Sequence, residues 1–189
     1  MYHLLIQYHP ATPLKSKALL SPQKSIYKSA RKESTMIKNT EDKRTYLDYP
    51  FVGVGVVVWK AEKFLLIQRG KPPRLGQWSI PGGRQELGET VKETAIRETK
   101  EETGLSVQII DFLGVIDSIQ KDKDGQVEFH ATLFDFSAKW ISGVASASSD
   151  AMNVAWHELN DIEGLDLWSE TSRIIRTSAK LRFEHKAKL

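Results

Sequence analysis

An α/β domain is what the sequence predicts, on three observations. Two runs of β-branched and aliphatic residues, Phe51 to Trp59 and Phe64 to Ile67, read as buried strands joined through Lys60-Ala61-Glu62. A helical period follows, with Val91, Ala95 and Thr99 at i, i+4 and i+8 ahead of Gly104, so a helix is expected over about Glu89 to Thr103. A second apolar pattern, Leu167, Ile174, Ile175 and Leu181 along Trp168 to Arg182, gives an amphipathic helix near the C-terminus.

The rest of the chain fits around these elements. Residues 1–45 are expected to form a basic, mostly irregular N-terminal extension, and residues 46–189 the domain. Within the extension Tyr2 to Tyr8 is apolar enough for a short strand or packed arm, but lacks the basic start and long apolar run of a secretory signal. Its Ser-rich, acid-poor character leaves a mitochondrial transit peptide as an alternative, against which Lys outnumbers Arg five to one; Met36 is an alternative start. Gly53 and Gly55 in the first strand mark either a close backbone approach, a bulge or simple packing space. Arg69 to Trp78 is a loop carrying Arg69, Lys71 and Arg74, and it leads into Pro81-Gly82-Gly83. Val107 to Ser118 and Val127 to Phe136 form a hairpin about Lys121 to Gly125. Ala138 to Ser149 is small and polar, a loop free to move, and Asp150 closes it before a short strand beginning near Asn153.

Composition excludes several classes of function. The chain has 189 residues, 40% of them hydrophobic, enough for one core, and no cysteine. Disulfides and thiolate metal sites are therefore excluded, and a reducing cytoplasm is the expected setting. No run of 18 apolar residues exists, so no membrane span is expected. The net charge is +3, but residues 1–35 hold six Lys/Arg against one acid, which leaves 21 basic and 23 acidic residues in 36–189. The basic character belongs to the extension, so nucleic acid is not an expected partner of the domain. A homodimer is compatible with the sequence.

The end of the helix before Gly104 is electrostatically odd. Glu98, Glu101 and Glu102 fall in its last turns, where the helix dipole is negative and each carboxylate is disfavoured by roughly 0.3–1 kcal/mol. At about 100° per residue the three share one arc, and Glu102 points between Val91 and Ala95 on the apolar stripe. Either this is a charged surface helix or the three carboxylates surround a cation, whose hard oxygen ligands would suit Mg²⁺ or Mn²⁺.

These residues resemble the Nudix hydrolase signature. Gly83, Glu89, Arg97, Glu98, Glu101, Glu102, Gly104 and Leu105 all fall in its register, eight fixed positions over 23 residues. Thr99 departs from it, because an aliphatic residue is usual there. The resemblance implies a Nudix-type α/β/α sandwich, a mixed β-sheet between helices. It also implies divalent-cation-dependent hydrolysis of a nucleoside diphosphate linked to another moiety, by water attacking phosphorus.

Carried over residue by residue, the resemblance makes Glu98, Glu101 and Glu102 metal ligands, and Glu89 the glutamate that binds through water or anchors the loop. Gly82 and Gly83 would let the backbone meet metal or phosphate. Arg97 would orient the carboxylates by ion pairs, lying one turn from both Glu93 and Glu101. The general base stays open among Glu98, Glu101 and Asp150. Arg69, Arg74 and Arg84 either clamp phosphate or are surface charge; His130 and His157 read as packing or surface residues.

The run Arg69 to Arg84 is similar to Nudix proteins of the ADP-ribose pyrophosphatase-like branch, which implies a small nucleotide such as ADP-ribose as substrate. A proline found in some ADP-ribose enzymes about 16 residues past the signature is replaced here, where Gln120 and Lys121 stand. House-cleaning hydrolysis of oxidised nucleoside triphosphates is the alternative. A non-catalytic nucleotide-binding regulator would be expected to lack signature carboxylates, and all are present.

Overall fold

The computed structural model describes residues 44–148 except 73, and residues 151–186, with the backbone alone at 185 and 186. The expectations for the extension up to residue 43 lie outside the described residues. Arg44 and Thr45, counted above with the extension, lie against the domain: Thr45 bridges Phe129, and Arg44 lines a cleft described below.

Strand β1 (Phe51–Lys60) and β2 (Lys63–Arg69) form the expected hairpin about Ala61, which takes a left-handed φ of 51°. They stay paired only at Trp59↔Phe64 and Lys60↔Lys63. Beyond that point β2 pairs with β3 (Trp78–Ser79), and β6 (Ala151–His157) covers its other edge. On its far side β1 runs parallel to β5 (Val127–Ser142), in register from Phe51↔Ala131 to Trp59↔Lys139. The antiparallel partner of β5 is β4 (Ser106–Lys121), and the sheet order is β3-β2-β1-β5-β4 with β6 on β2.

The central strand explains its own composition. Val54, Val56 and Val58 face helix α1 (Val91–Thr103) and pack with Ala95, Leu105 and Phe136. Val57 and Trp59 face the other way, packing with Ile174 and Ile175 of helix α2 (Ser169–Lys186). A strand covered on both faces reads as a continuous apolar run, and each such side chain contributes about 1.5–3 kcal/mol when fully buried. The result is the expected α/β/α sandwich around a mixed sheet. Among the described residues no helix is long and apolar enough to cross a membrane.

Two boundaries near the helix differ from the sequence reading. Helix α1 begins at Val91 rather than Glu89, because Thr90 caps it: the Glu93 N–H donates to Thr90 Oγ1 at 3.3 Å and the Thr90 N–H to Glu93 Oε2 at 2.8 Å. Ala138 to Ser142 is not loop but the end of β5, paired with β4 as far as Ser142 and with β1 as far as Lys139. The remaining loop is tied to α1, since Ser146 and Ser148 donate their N–H groups to the carbonyls of Thr103 and Glu102. Those carbonyls at a helix end otherwise lack partners.

Candidate active site

The Pro81-Gly82-Gly83 turn does more than reverse the chain. Residues 81–85 ride antiparallel on the edge of β1 that β2 vacates: Val56 N–H donates to the Pro81 carbonyl, Val54 N–H to that of Gly83, and Gln85 N–H to that of Val52. Gly82 therefore has its amide turned away from β1, and its N–H donates to Glu102 Oε2 at 2.9 Å. At φ 156° a side chain on Gly82 would run into the Val54 carbonyl, and one on Gly83 into the Glu98 carboxyl. Glycine is required at 82 by the backbone beside it, and at 83 it leaves room for the Glu98 carboxyl. Gly82→Ala should lower the melting temperature by at least about 5 °C, roughly 2 kcal/mol for a domain of this size; an unchanged melting curve would contradict this packing.

Arg97 organises the carboxylates. Its guanidinium grips Glu89 with two bonds, Nε to Oε1 at 2.6 Å and Nη2 to Oε2 at 2.9 Å. It also reaches Glu98 Oε1 at 2.9 Å, Glu101 Oε2 at 3.1 Å and the Arg84 carbonyl at 3.1 Å. The expected pairing with Glu93 is absent, because that carboxylate is engaged in the helix cap. Glu89 is thereby fixed as a loop anchor: it also accepts from the Glu86 N–H and the Thr94 hydroxyl. Its pKa is held down to about 2, chiefly by the Arg97 bonds. Glu98 is the opposite case. Its side chain is 16% exposed, and burial raises its pKa against the opposing pull of Arg97.

The electrostatic oddity at the helix end is thus partly answered by the protein itself. Arg97 offsets Glu98 and Glu101, and Lys100 Nζ donates to the Gly104 carbonyl at 2.8 Å. Glu101 is exposed, Glu102 half-buried, and among the described residues no three acidic or histidine side chains form a ready cage. The donor set nonetheless fits a hard divalent cation. Glu98 and Glu102 approach the glycine turn from α1, and the Gly82 carbonyl is not among those that β1 takes. Thr99, the departure from the signature, is fully buried and donates its hydroxyl to the Ala95 carbonyl, so the apolar stripe stays packed.

A cleft opens beside the turn, on the α2 side of β1. Arg44, Arg69, Arg74 and Arg84 line it, together with Gly82 and Gly83. Arg74 stacks at 4.1 Å on Trp168, and Arg84 lies 5.5 Å from the Phe51 ring. The space comes from Gly53 and Gly55: a side chain on Gly53 would press on Leu133 at 2.8 Å, and one on Gly55 would meet Asp135 and Ile80. Of the alternatives for these two glycines, packing space is the one observed, since the nearest atoms are side chains, Leu133 at Gly53 and Asp135 and Ile80 at Gly55. His157 is a packing residue, edge-on to Trp78 at 5.1 Å. Asp150 lies outside the described residues.

Two features escaped the sequence reading. The Thr90-x-x-Glu93 pattern is a capping-box signal that would have moved the helix start. Asp135, a lone carboxylate within Leu133-Phe134-Asp135-Phe136, lines the cleft at 4% exposure. Its signal was a charge at a strand position otherwise filled by core residues.

Comparison with known proteins agrees with this geometry. The family model described as NUDIX domain matches residues 50–177. The chain is 38% identical over 122 residues to the ADP-ribose pyrophosphatase of Methanocaldococcus jannaschii, covering 65% of this chain and 69% of that one. It is 31% identical over 117 residues to the oxidized purine nucleoside triphosphate hydrolase of Mus musculus, covering 62% and 72% respectively. Among solved structures, the MutT NUDIX hydrolase from Burkholderia pseudomallei superposes with a TM-score of 0.58 at 26% identity, covering 69% of this chain and 98% of that one. With the family model matching well over half of the chain and the signature helix docked on its glycine turn, the chain belongs to the Nudix hydrolases.

Proposed function

We propose that this protein hydrolyses the diphosphate of a nucleoside diphosphate joined to a second moiety, with ADP-ribose or a similar nucleotide sugar as substrate and a divalent cation, Mg²⁺ or Mn²⁺, as cofactor. One observation carries the reading: the Gly82 N–H bond to Glu102 draws the carboxylate-bearing helix end onto the turn that borders the arginine-lined cleft. The 38% identity to an ADP-ribose pyrophosphatase supports the choice of substrate class.

Glu98, Glu101, Glu102 and the Gly82 carbonyl would hold the cation. When bound, it screens the charge of the diphosphate and makes phosphorus open to attack by water. Arg69 and Arg84 bind and orient the phosphates from the cleft, with Gly83 allowing the backbone to approach them. Arg97 and Glu89 act through the others, keeping Glu98 and Glu101 apart and the loop fixed. The water's proton passes to Glu98, Glu101 or Asp150. Cleavage of ADP-ribose then gives AMP and ribose 5-phosphate.

Similarity to the nucleoside triphosphate hydrolase supports a second reading, hydrolysis of an oxidised nucleoside triphosphate to monophosphate and pyrophosphate. A panel of nucleotide sugars, dinucleotides and triphosphates with Mg²⁺, with products identified by mass, separates the two. Two phosphomonoesters from a nucleotide sugar are expected. Pyrophosphate from triphosphates alone would favour the second reading, and no turnover of any compound would overturn both. We place the extension outside the reaction: deletion of residues 1–35 should leave kcat within about twofold, and a large fall in a folded truncation would make it part of the site.

A further inference from the structure

We propose that Asp135 hydrogen-bonds to a neutral polar group of the nucleoside half of the substrate, a hydroxyl or a ring N–H, and is a specificity-determining residue of this enzyme. The inference rests on the cleft being the substrate site.

Its first support is an unmet need. The Asp135 side chain is buried, 4% exposed, and among the described residues its carboxyl has neither a hydrogen-bond partner nor an ion pair. Its oxygens are not among the fully enclosed unpartnered atoms of the described residues, so they open onto the cleft, where a ligand can supply the missing bond. The second support is position. Asp135 lines the cleft, and its Oδ1 occupies the place that a side chain on Gly55 would take, with Ile80 beside it. Glycine at 55 thus leaves the room in which this carboxyl sits on the cleft floor.

The surroundings say which part of a nucleotide would meet it. The charges acting on Asp135 are Arg173 and Glu170 of α2; none of the four cleft arginines is among them. A phosphate would not settle against an unpaired carboxyl away from those arginines, because like charges repel there in a low dielectric. A nucleoside carries neutral donors. The same cleft also offers apolar surface for it, the edge-to-face pair Phe51 and Phe129 at 5.2 Å together with Ile116 and Leu133. Burial raises the Asp135 pKa to about 7, with Arg173 opposing and Glu170 adding, so at neutral pH the group is available both as acceptor and as donor.

The test is calorimetric binding to the full chain of AMP, GMP, CMP and UMP, with inorganic pyrophosphate as a probe of the arginines alone. The variants are Asp135→Leu, which keeps the side-chain shape, and Asp135→Ala. The tightest-bound monophosphate should weaken about 10- to 100-fold in both variants, as for loss of a charge-assisted hydrogen bond, while pyrophosphate changes less than twofold. Equal monophosphate binding in wild type and variants, a parallel loss of pyrophosphate, or no monophosphate binding to wild type would each overturn the contact. So would failure of both variants to fold, since that would make the carboxyl a structural requirement. Asp135-dependent binding without turnover of any nucleotide would sink the hydrolase reading and leave the contact standing. Turnover with Asp135-independent binding would do the reverse.

Discussion

Glu102→Gln should leave the fold intact and lower kcat by about three orders of magnitude, the scale expected when a charge that stabilises the reacting phosphate is removed. The substitution is clean because of what Glu102 does in the structure. Its Oε2 accepts the Gly82 N–H, and a glutamine oxygen can accept the same bond, so the helix end stays tied to the turn. The bond to the turn is kept while the negative charge is lost. A kcat within about fivefold of wild type, in a variant with an unchanged melting curve, would mean that Glu102 is merely a tether.

Arg97→Met should affect both stability and rate. It removes the two bonds to Glu89 and the bonds to Glu98 and Glu101. Glu89 and Glu98, 20% and 16% exposed, would then lose their neutralising partner. Bonds between charged groups contribute about 1.5–3 kcal/mol each, and these share one guanidinium, so a loss of about 2–3 kcal/mol is expected. For a domain of this size that is roughly a 5–10 °C fall in melting temperature, with kcat down about 10- to 100-fold as the carboxylates lose their orientation. Lysine should rescue little, because it cannot grip Glu89 with a planar fork. Glu93→Gln serves as the contrast. Its amide oxygen can still accept the capping bond, so it loses only about 0.3–1 kcal/mol of charge at the helix start and should leave kcat unchanged; equal catalytic losses at positions 93 and 97 would contradict the assignment of Arg97 to Glu89.

Much of this was readable from local patterns. The β1 run, the helix ending at Gly104 and the α2 period are set by side-chain spacing over short stretches, and all three appear close to where the spacing puts them. The register of Gly83 to Leu105 identified the family before any contact was known. What stayed hidden depends on distant parts of the chain meeting. The parallel pairing of β1 with β5 joins Phe51 to Ala131 and runs to Lys139, and the antiparallel pairing with β4 carries β5 on to Ser142. Of the two partners that helical spacing gives Arg97, Glu101 is met and Glu93 is not, while Glu89 reaches it from outside the helix. Asp135 gained its meaning only when β5 laid it against Gly55.

The central claim is that the Gly82 turn and the Glu98, Glu101 and Glu102 carboxylates form a cation-dependent site for cutting a nucleotide diphosphate. It is tested most directly by following ADP-ribose hydrolysis with Mg²⁺, after exhaustive chelation, and after Mg²⁺ is restored. Turnover to AMP and ribose 5-phosphate should vanish on chelation and return on restoration in wild type, and stay at least about 1,000-fold lower in Glu102→Gln at every Mg²⁺ concentration. Undiminished turnover in the chelated protein would contradict the claim.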